Sequence, residues 1–347
     1  INNKDEIAIE VNESIESKDQ AHDQPNENVN SYSIYDYLRT FLALLLFIAS
    51  GFANDFALAI VHEFVPYKSP PLPDLGFSLL PYEKKMLDVC EFIIIGFGVA
   101  VVLLHFFHSY RIIVFTRMLT ILSIIYLCRS ICMVTTIFPL AHQRYCAPRL
   151  KDANGSNFFT FNHLLVFLKR AVHLLSGFGL SINGKQVYCG DYLFSGHTAI
   201  LVAFYLILRE YWLPAKCETL IWKVVNYSLQ AIVFFAILDL IMARGHYLID
   251  IVLGYYVTTR VFWIYHTFAY NNQLIQKSKI AKVWWLPLFK YFERIPNDRQ
   301  LNCNIHITRD QCDCIITNGI IPRSFKWPLY WPTFLNKEQS DRQRLLP

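Results

Sequence analysis

The chain has 347 residues, of which 54% are hydrophobic, 16% aromatic and only 17% charged, and its formal net charge is +5. A soluble domain averages about 25% charged residues, so this chain lacks the polar side chains needed to coat a water-facing globule. Its apolar residues come in long blocks, which points to a membrane protein, and the small, unevenly placed charge gives no ground for a nucleic-acid partner.

Residues 1–30 hold eight acids against two lysines and no aromatic residue. Such a segment cannot bury a core, so 1–35 reads as a disordered acidic N-terminal tail. The chain opens at Ile1 rather than Met, which is read as room for an upstream segment. No cleavable signal peptide is visible, and the first apolar run is expected to act as the targeting signal. Runs near the ~20 residues that cross hydrocarbon lie at 40–62, 89–109, 117–139, 194–213, 220–243 and 247–268. The expected fold is all-α: a polytopic membrane protein with about six transmembrane helices, forming a catalytic domain over 36–270. Asp55 interrupts the first run and is expected to face the bundle interior.

Between the third and fourth runs, the 140–190 segment is too long for a simple turn. Phe158–Leu175 within it is apolar, with His163, Lys169, Arg170 and His173 interspersed. It predicts a helix lying in the membrane interface, with both histidines as ordinary interfacial residues. Residues 271–347 form a basic cytosolic C-terminal tail, with twelve Lys/Arg against six acids. Lys277, Lys279 and Lys282 follow the last run closely and could rest on anionic lipid or simply be solvated. Cys303, Cys312 and Cys314 are candidates for palmitoylation, with unmodified thiols the simplest reading. Even with His306, their spacing matches no standard zinc site.

Six spans put both termini on one side. The fourth and sixth then begin at the same membrane level, which brings together the two most chemically loaded clusters in the chain. One is Cys189-Gly190-Asp191-Tyr192-Leu193-Phe194-Ser195-Gly196-His197-Thr198; the other is His246-Tyr247-Leu248-Ile249-Asp250. Ionisable groups near hydrocarbon are costly and usually functional. His246 and Asp250 are four apart, so they share a helix face and the carboxylate can orient the imidazole. Two histidines and a carboxylate suit phosphoryl transfer through a covalent histidine better than metal binding, and neither metal nor cofactor is expected.

Charge alone does not decide which face this is. Arg111, Arg117, Arg209, Lys216 and Lys223 flank the short loops on the side of the termini. Lys68, Lys84, Lys85, Arg144, Arg149, Lys151, Lys169, Arg170 and Lys185 lie on the other side, against the usual positive-inside pattern. Two features favour a luminal or exoplasmic site. Asn154-Gly155-Ser156 is a glycosylation acceptor, and Cys146 and Cys189, in the same loop, could pair in an oxidising compartment or remain free thiols.

The motifs Phe194-Ser195-Gly196-His197 and His246-x-x-x-Asp250 resemble those of the lipid phosphate phosphatase superfamily. Further blocks narrow the resemblance: Pro70-Pro71-Leu72-Pro73-Asp74, Arg129-Ser130-Ile131-Cys132 through Pro139, the block ending in His197-Thr198, and His246-Tyr247-x-x-Asp250. They occur in the order seen in sphingomyelin synthases, and Tyr255–Arg260, Trp263–Thr267 and Ile321–Pro328 continue the similarity over roughly residues 40–330. The resemblance implies transfer of phosphocholine from phosphatidylcholine to the primary hydroxyl of ceramide, giving sphingomyelin and diacylglycerol. It also implies a catalytic triad of His197, His246 and Asp250. A neutral imidazole held by a carboxylate is a competent nucleophile toward a phosphodiester, so His246 is expected to form a phosphohistidine. His197 would then protonate the departing diacylglycerol and take the proton of ceramide's hydroxyl.

The other candidate residues have two readings each. Asp191 is read first as the cap of a helix beginning near Leu193, and second as a ligand for the headgroup cation. Arg129 could hold phosphate charge or pair with Asp55. Tyr192, Phe194 and Tyr247 could give cation–π contact to choline or be ordinary interfacial aromatics. Gly245 departs from the family: animal sphingomyelin synthases carry an acid there, so a ceramide phosphoethanolamine synthase or mixed headgroup transferase is the alternative. A lipid phosphatase is disfavoured because the chain contains no Arg-Pro dipeptide, which that superfamily's first motif requires. Homo-oligomerisation, and residence in the Golgi or plasma membrane, complete the expectations.

Overall fold

A computed structural model of the chain describes residues 34–108, 111–142, 146–150, 160–176, 188–212, 220–270 and 291–292. Asn154, Cys303, Cys312, Cys314 and nearly all of the acidic tail lie outside these residues. Those from Tyr35 onward belong to one compact unit. Among the described residues the regular structure is helical, with no strand: α1 (Ile34–Phe64), α2 (Leu75–Leu79), α3 (Met86–Phe107), α4 (Arg111–Thr135), α5 (Phe161–Ser176), α6 (Gly196–Tyr211), α7 (Leu220–Met242) and α8 (Leu248–Tyr270).

Five of these helices, α1, α3, α4, α7 and α8, are long and apolar enough to cross a membrane. The protein is multi-pass. The remaining expected span, 194–213, is α6, and its 16 residues reach only about 24 Å at 1.5 Å per residue, short of the ~30 Å hydrocarbon core. Its position explains why a short helix suffices. It packs against α3, α4, α7 and α8, and Leu201, Val202, Ala203, Leu206, Ile207 and Leu208 are all buried. Large apolar side chains face outward instead on its neighbours, among them Phe92, Val99 and Leu103 of α3 and Val224, Phe234 and Phe235 of α7. A bilayer requires that division, because lipid tails are as apolar as the core.

The expected interfacial helix is α5. Phe167 packs with Ala59 of α1, and Leu175 approaches Gly51, eight residues earlier in α1. The two helices therefore run antiparallel to each other, so α5 lies along a membrane-crossing helix and not flat in the interface, which corrects the expectation. Phe161, Leu165 and Val172 form its exposed side. Asp55 is buried, as its place in an apolar run required, and accepts a hydrogen bond from Asn54 Nδ2 at 3.1 Å.

The Pro70–Asp74 segment positions the helix that carries Asp250. Asp74 Oδ1 accepts from Phe77 N–H at 3.3 Å, capping α2, and Oδ2 accepts from Leu248 N–H at 2.8 Å, capping α8. One carboxylate thus serves two helix N-termini, each of which leaves backbone donors without intrahelical partners. Asp74→Asn keeps one acceptor oxygen and loses the other. It should cost about 1 kcal/mol, read as a lower thermal unfolding midpoint of the purified protein in detergent; an unchanged midpoint would remove the double cap.

Candidate active site

His197 lies in the first turn of α6, because the chain turns sharply just before it. Phe194 has φ 76°, which prevents the helix from starting at Leu193, and Ser195 then caps it by accepting from Thr198 N–H at 3.2 Å. The cap is therefore Ser195 and not Asp191, which corrects the first reading of Asp191. Across from it, His246 sits in the turn before α8 and Asp250 in that helix's first turn. Ser195 N–H donates to the Asp250 carbonyl at 3.1 Å, so a backbone bond sets the register between the two clusters.

Forty-nine residues separate the two histidines, and their rings meet. His246 Nε2 is 3.4 Å from His197 Nδ1, with ring centroids 5.6 Å apart. His246 Nδ1 lies 3.8 Å from Asp250 Oδ2, an ion-pair distance longer than a hydrogen bond. Asp250 Oδ2 is itself fixed by Tyr247 N–H at 2.9 Å. Catalytic hydrogen bonds are commonly long without substrate and tighten in the complex. Both His246 and Asp250 are buried, while His197 is partly accessible.

Sequence reasoning missed Glu91. Its side chain is fully buried on α3, and Oε1 lies 3.4 Å from His197 Nε2. Each histidine thus has a carboxylate on the side away from its partner, which leaves His246 Nε2 and His197 Nδ1 facing each other. The available signal was an acid within the apolar run 89–109, which marks function by default.

Arg129 neither pairs with Asp55 nor points freely toward a substrate. Its guanidinium donates to Asn54 Oδ1, to the Phe194 carbonyl at 3.0 Å and to the Asp191 carboxylate. The approach is close enough that a Cβ at position 196 would lie 3.0 Å from Arg129 Cζ, which is why glycine precedes His197. Burial raises the Asp191 carboxyl, but the Arg129 charge, helped by His246 and His197, outweighs it and holds the group below the usual carboxylate range. Asp191 is therefore ionised at neutral pH.

The three aromatic candidates are packing residues rather than open ring faces. Tyr192, Phe194 and Tyr247 are 2%, 0% and 2% exposed. The Tyr247 hydroxyl accepts from Leu72 N–H at 3.1 Å and donates to the Pro139 carbonyl at 3.3 Å, tying together the loops before α2 and after α4. A Cβ at Gly245 would lie 3.8 Å from both the Leu240 carbonyl and Leu87, so a side chain can enter there. Cys146 and Cys189 form a disulfide with Cα atoms 5.7 Å apart. Among the described residues no group of three or more His, Cys, Asp or Glu side chains is arranged to hold a metal ion.

Residues 188–267, which hold both histidine clusters, match the family model described as PAP2 superfamily C-terminal. Over 318 residues the chain is 33% identical to phosphatidylcholine:ceramide cholinephosphotransferase 1 of Homo sapiens, covering 89% of this chain and 67% of that protein. The chain belongs to the phosphatidylcholine:ceramide cholinephosphotransferase family. The Gallus gallus counterpart is also 33% identical over 318 residues, and the chain spans 66% of its length. Phosphatidylcholine:ceramide cholinephosphotransferase 2 of Mus musculus is 31% identical over 317 residues, covering 89% of this chain and 76% of that protein. This membership agrees with the family resemblance carried by the sequence blocks.

The Glu91 contact makes a specific demand. Glu91→Gln should leave folding intact but remove a charge-assisted hydrogen bond to His197. Such bonds contribute about 1.5–3 kcal/mol, so transfer should slow by roughly 10- to 150-fold in a single-turnover assay. A rate within about twofold of wild type would show that Glu91 does not orient His197.

Proposed function

We propose that the protein transfers phosphocholine from phosphatidylcholine to the primary hydroxyl of ceramide, releasing diacylglycerol and forming sphingomyelin. The observation that carries the proposal is the Glu91–His197–His246–Asp250 row, in which two imidazole nitrogens face each other 3.4 Å apart between carboxylates. His246 Nε2 attacks the phosphorus of phosphatidylcholine, and the bond to the diacylglycerol oxygen breaks as His197 protonates that oxygen. The phosphocholine is then carried on His246. His197, now neutral, takes the proton of ceramide's primary hydroxyl as that oxygen attacks phosphorus, and His246 leaves as free imidazole. One phosphodiester replaces another, so the exchange needs no nucleotide. Asp250 holds the imidazolium-like charge that develops on His246, and Glu91 does the same for His197.

The orientation proposed is a luminal or exoplasmic active site with both termini cytosolic, in the Golgi or plasma membrane. The Cys146–Cys189 disulfide supports it, since disulfides persist in oxidising compartments. The same disulfide adjoins the block that leads to His197, which supports an active site on the same side. The basic segment after α8 would then face anionic cytosolic lipid.

His197→Ala, His246→Ala and Asp250→Ala should each abolish transfer while the protein still expresses and unfolds cooperatively. Pairs of these changes should cost little more than single ones, because the residues act as a unit. The measurement is formation of fluorescent sphingomyelin from labelled ceramide and phosphatidylcholine by the purified protein. Product formation by His246→Ala at near wild-type rate would remove the covalent step.

The headgroup is the second point. Gly245 leaves space and no charge where animal relatives place an acid, so ceramide phosphoethanolamine should appear beside sphingomyelin. A Cβ at position 245 meets only ordinary van der Waals contacts, and Gly245→Glu should raise the choline preference by about tenfold, corresponding to ~1.4 kcal/mol. Both products are to be compared from equal amounts of the two donor lipids. Strict choline selectivity in the wild type, or no change in the variant, would remove position 245 from headgroup choice.

A further inference from the structure

The extended segment that delivers His197 begins at the disulfide, and a histidine outside the active site grips both sides of that disulfide. His62, on the last turn of α1, is 0% exposed. Its Nδ1 accepts from Cys189 N–H at 2.9 Å and lies 3.2 Å from the Cys189 carbonyl, and its Nε2 lies 3.0 Å from the Ala147 carbonyl. Both ring nitrogens are thus committed to backbone groups, one on each side of the disulfide. It therefore bridges the residue after Cys146 to Cys189 itself, repeating without covalent chemistry the connection that the two sulfurs make.

The next residue is pressed onto the same turn. Gly190 has φ +122°, and a Cβ there would lie 2.9 Å from both Val61 and Val65. From there the segment is anchored at three further residues: Asp191 and the Phe194 carbonyl by Arg129, then Ser195 by the Asp250 carbonyl. The groups around His62 keep its ring in place. The Tyr67 hydroxyl lies 3.3 Å from Nδ1, and the Tyr188 ring stands edge-on at 5.4 Å. Glu63 is occupied by Arg170 and by Leu150 N–H at 3.0 Å, and Arg149 covers Tyr67 at 3.9 Å while reaching the Val65 carbonyl.

We propose that His62 is a positioning residue for headgroup transfer: with the Cys146–Cys189 disulfide it forms a double clasp that holds the start of the Cys189–Ser195 segment, and so the position of His197. The inference rests on the transfer activity proposed above, but one of its readouts does not.

Two measurements on the full-length protein test it. Amide hydrogen exchange should show Cys189–Asp191 protected in the wild type and exchanging at least about tenfold faster in His62→Ala, with α6 beyond its first turn unchanged. In the lipid-transfer assay, kcat of His62→Ala should fall about tenfold with KM within about twofold. Dithiothreitol should slow the wild type only a few-fold and nearly abolish the variant's remaining activity, because two clasps on one segment are non-additive. Unchanged exchange, equal proportional effects of reductant on both proteins, or a loss confined to KM would overturn the proposal. If His62→Ala does not fold, half-replacements decide. Asn can set an amide oxygen near the Nδ1 position and Gln an amide N–H near the Nε2 position. Protection at Cys189 should survive in His62→Asn and be lost in His62→Gln; equal protection in both overturns the clasp. If the wild type transfers no phosphocholine, the proposed activity fails while the exchange result still judges the clasp.

Discussion

Arg129 is a full positive charge on a membrane-spanning helix, and removing such a charge from water without partners costs several kcal/mol. The bundle meets this cost by directing three acceptors at one guanidinium: the Asn54 amide, the Asp191 carboxylate and the Phe194 carbonyl. They come from α1 and from the segment before α6, and the arginine comes from α4. Satisfying one buried cation therefore fixes three parts of the chain relative to one another. Gly196, Ser195 and the left-handed Phe194 are the local adjustments that let the segment come that close. His197 follows one residue later.

The same economy recurs at the other histidine cluster. Asp74 caps α2 and α8 at once, and the Tyr247 hydroxyl joins Leu72 to Pro139. Tyr247, the residue after His246, has its N–H on Asp250 and its hydroxyl between two backbone groups, so the backbone that carries His246 is held. Rigid support of this kind lets a site act without reorganising when charge develops. It also gives a role to two sequence blocks outside the site. The Pro70–Asp74 segment and the loop after α4 supply no group to the proposed chemistry, yet both are bonded to the turn that carries the proposed nucleophile or to the residue that follows it.

Membership of the cholinephosphotransferase family and the geometry of the site are independent lines that converge. Identity extends over 89% of the chain, whereas the PAP2 superfamily match is confined to residues 188–267, the part that supplies both histidines and Asp250. Glu91, Asn54 and Arg129 lie upstream of that match. The half of the site proposed to orient and neutralise is thus contributed by α1, α3 and α4, and the proposed reacting histidines by the segment from 188 onward.

Much of this protein was legible in the chain itself. Apolar runs of the right length declared the membrane helices, because a bilayer imposes a length and forbids unpaired backbone groups. The four-residue spacing of His246 and Asp250 placed them on one face, and equal membrane level brought His197 to them. What the chain could not state was which polar side chain satisfies which. Asp191 reads first as a cap and second as a ligand for the headgroup cation, until the backbone angle at Phe194 moves the helix start to Gly196 and Arg129 takes the carboxylate. Tyr192, Phe194 and Tyr247 look like ring faces for a cation until the packing closes over them. Glu91 and His62 have no local motif at all, since their partners lie 106 and 127 residues away. Length and periodicity are local properties, written in consecutive residues. Satisfaction of buried polar groups is decided between segments that meet only when the bundle closes, so only the tertiary structure could assign it.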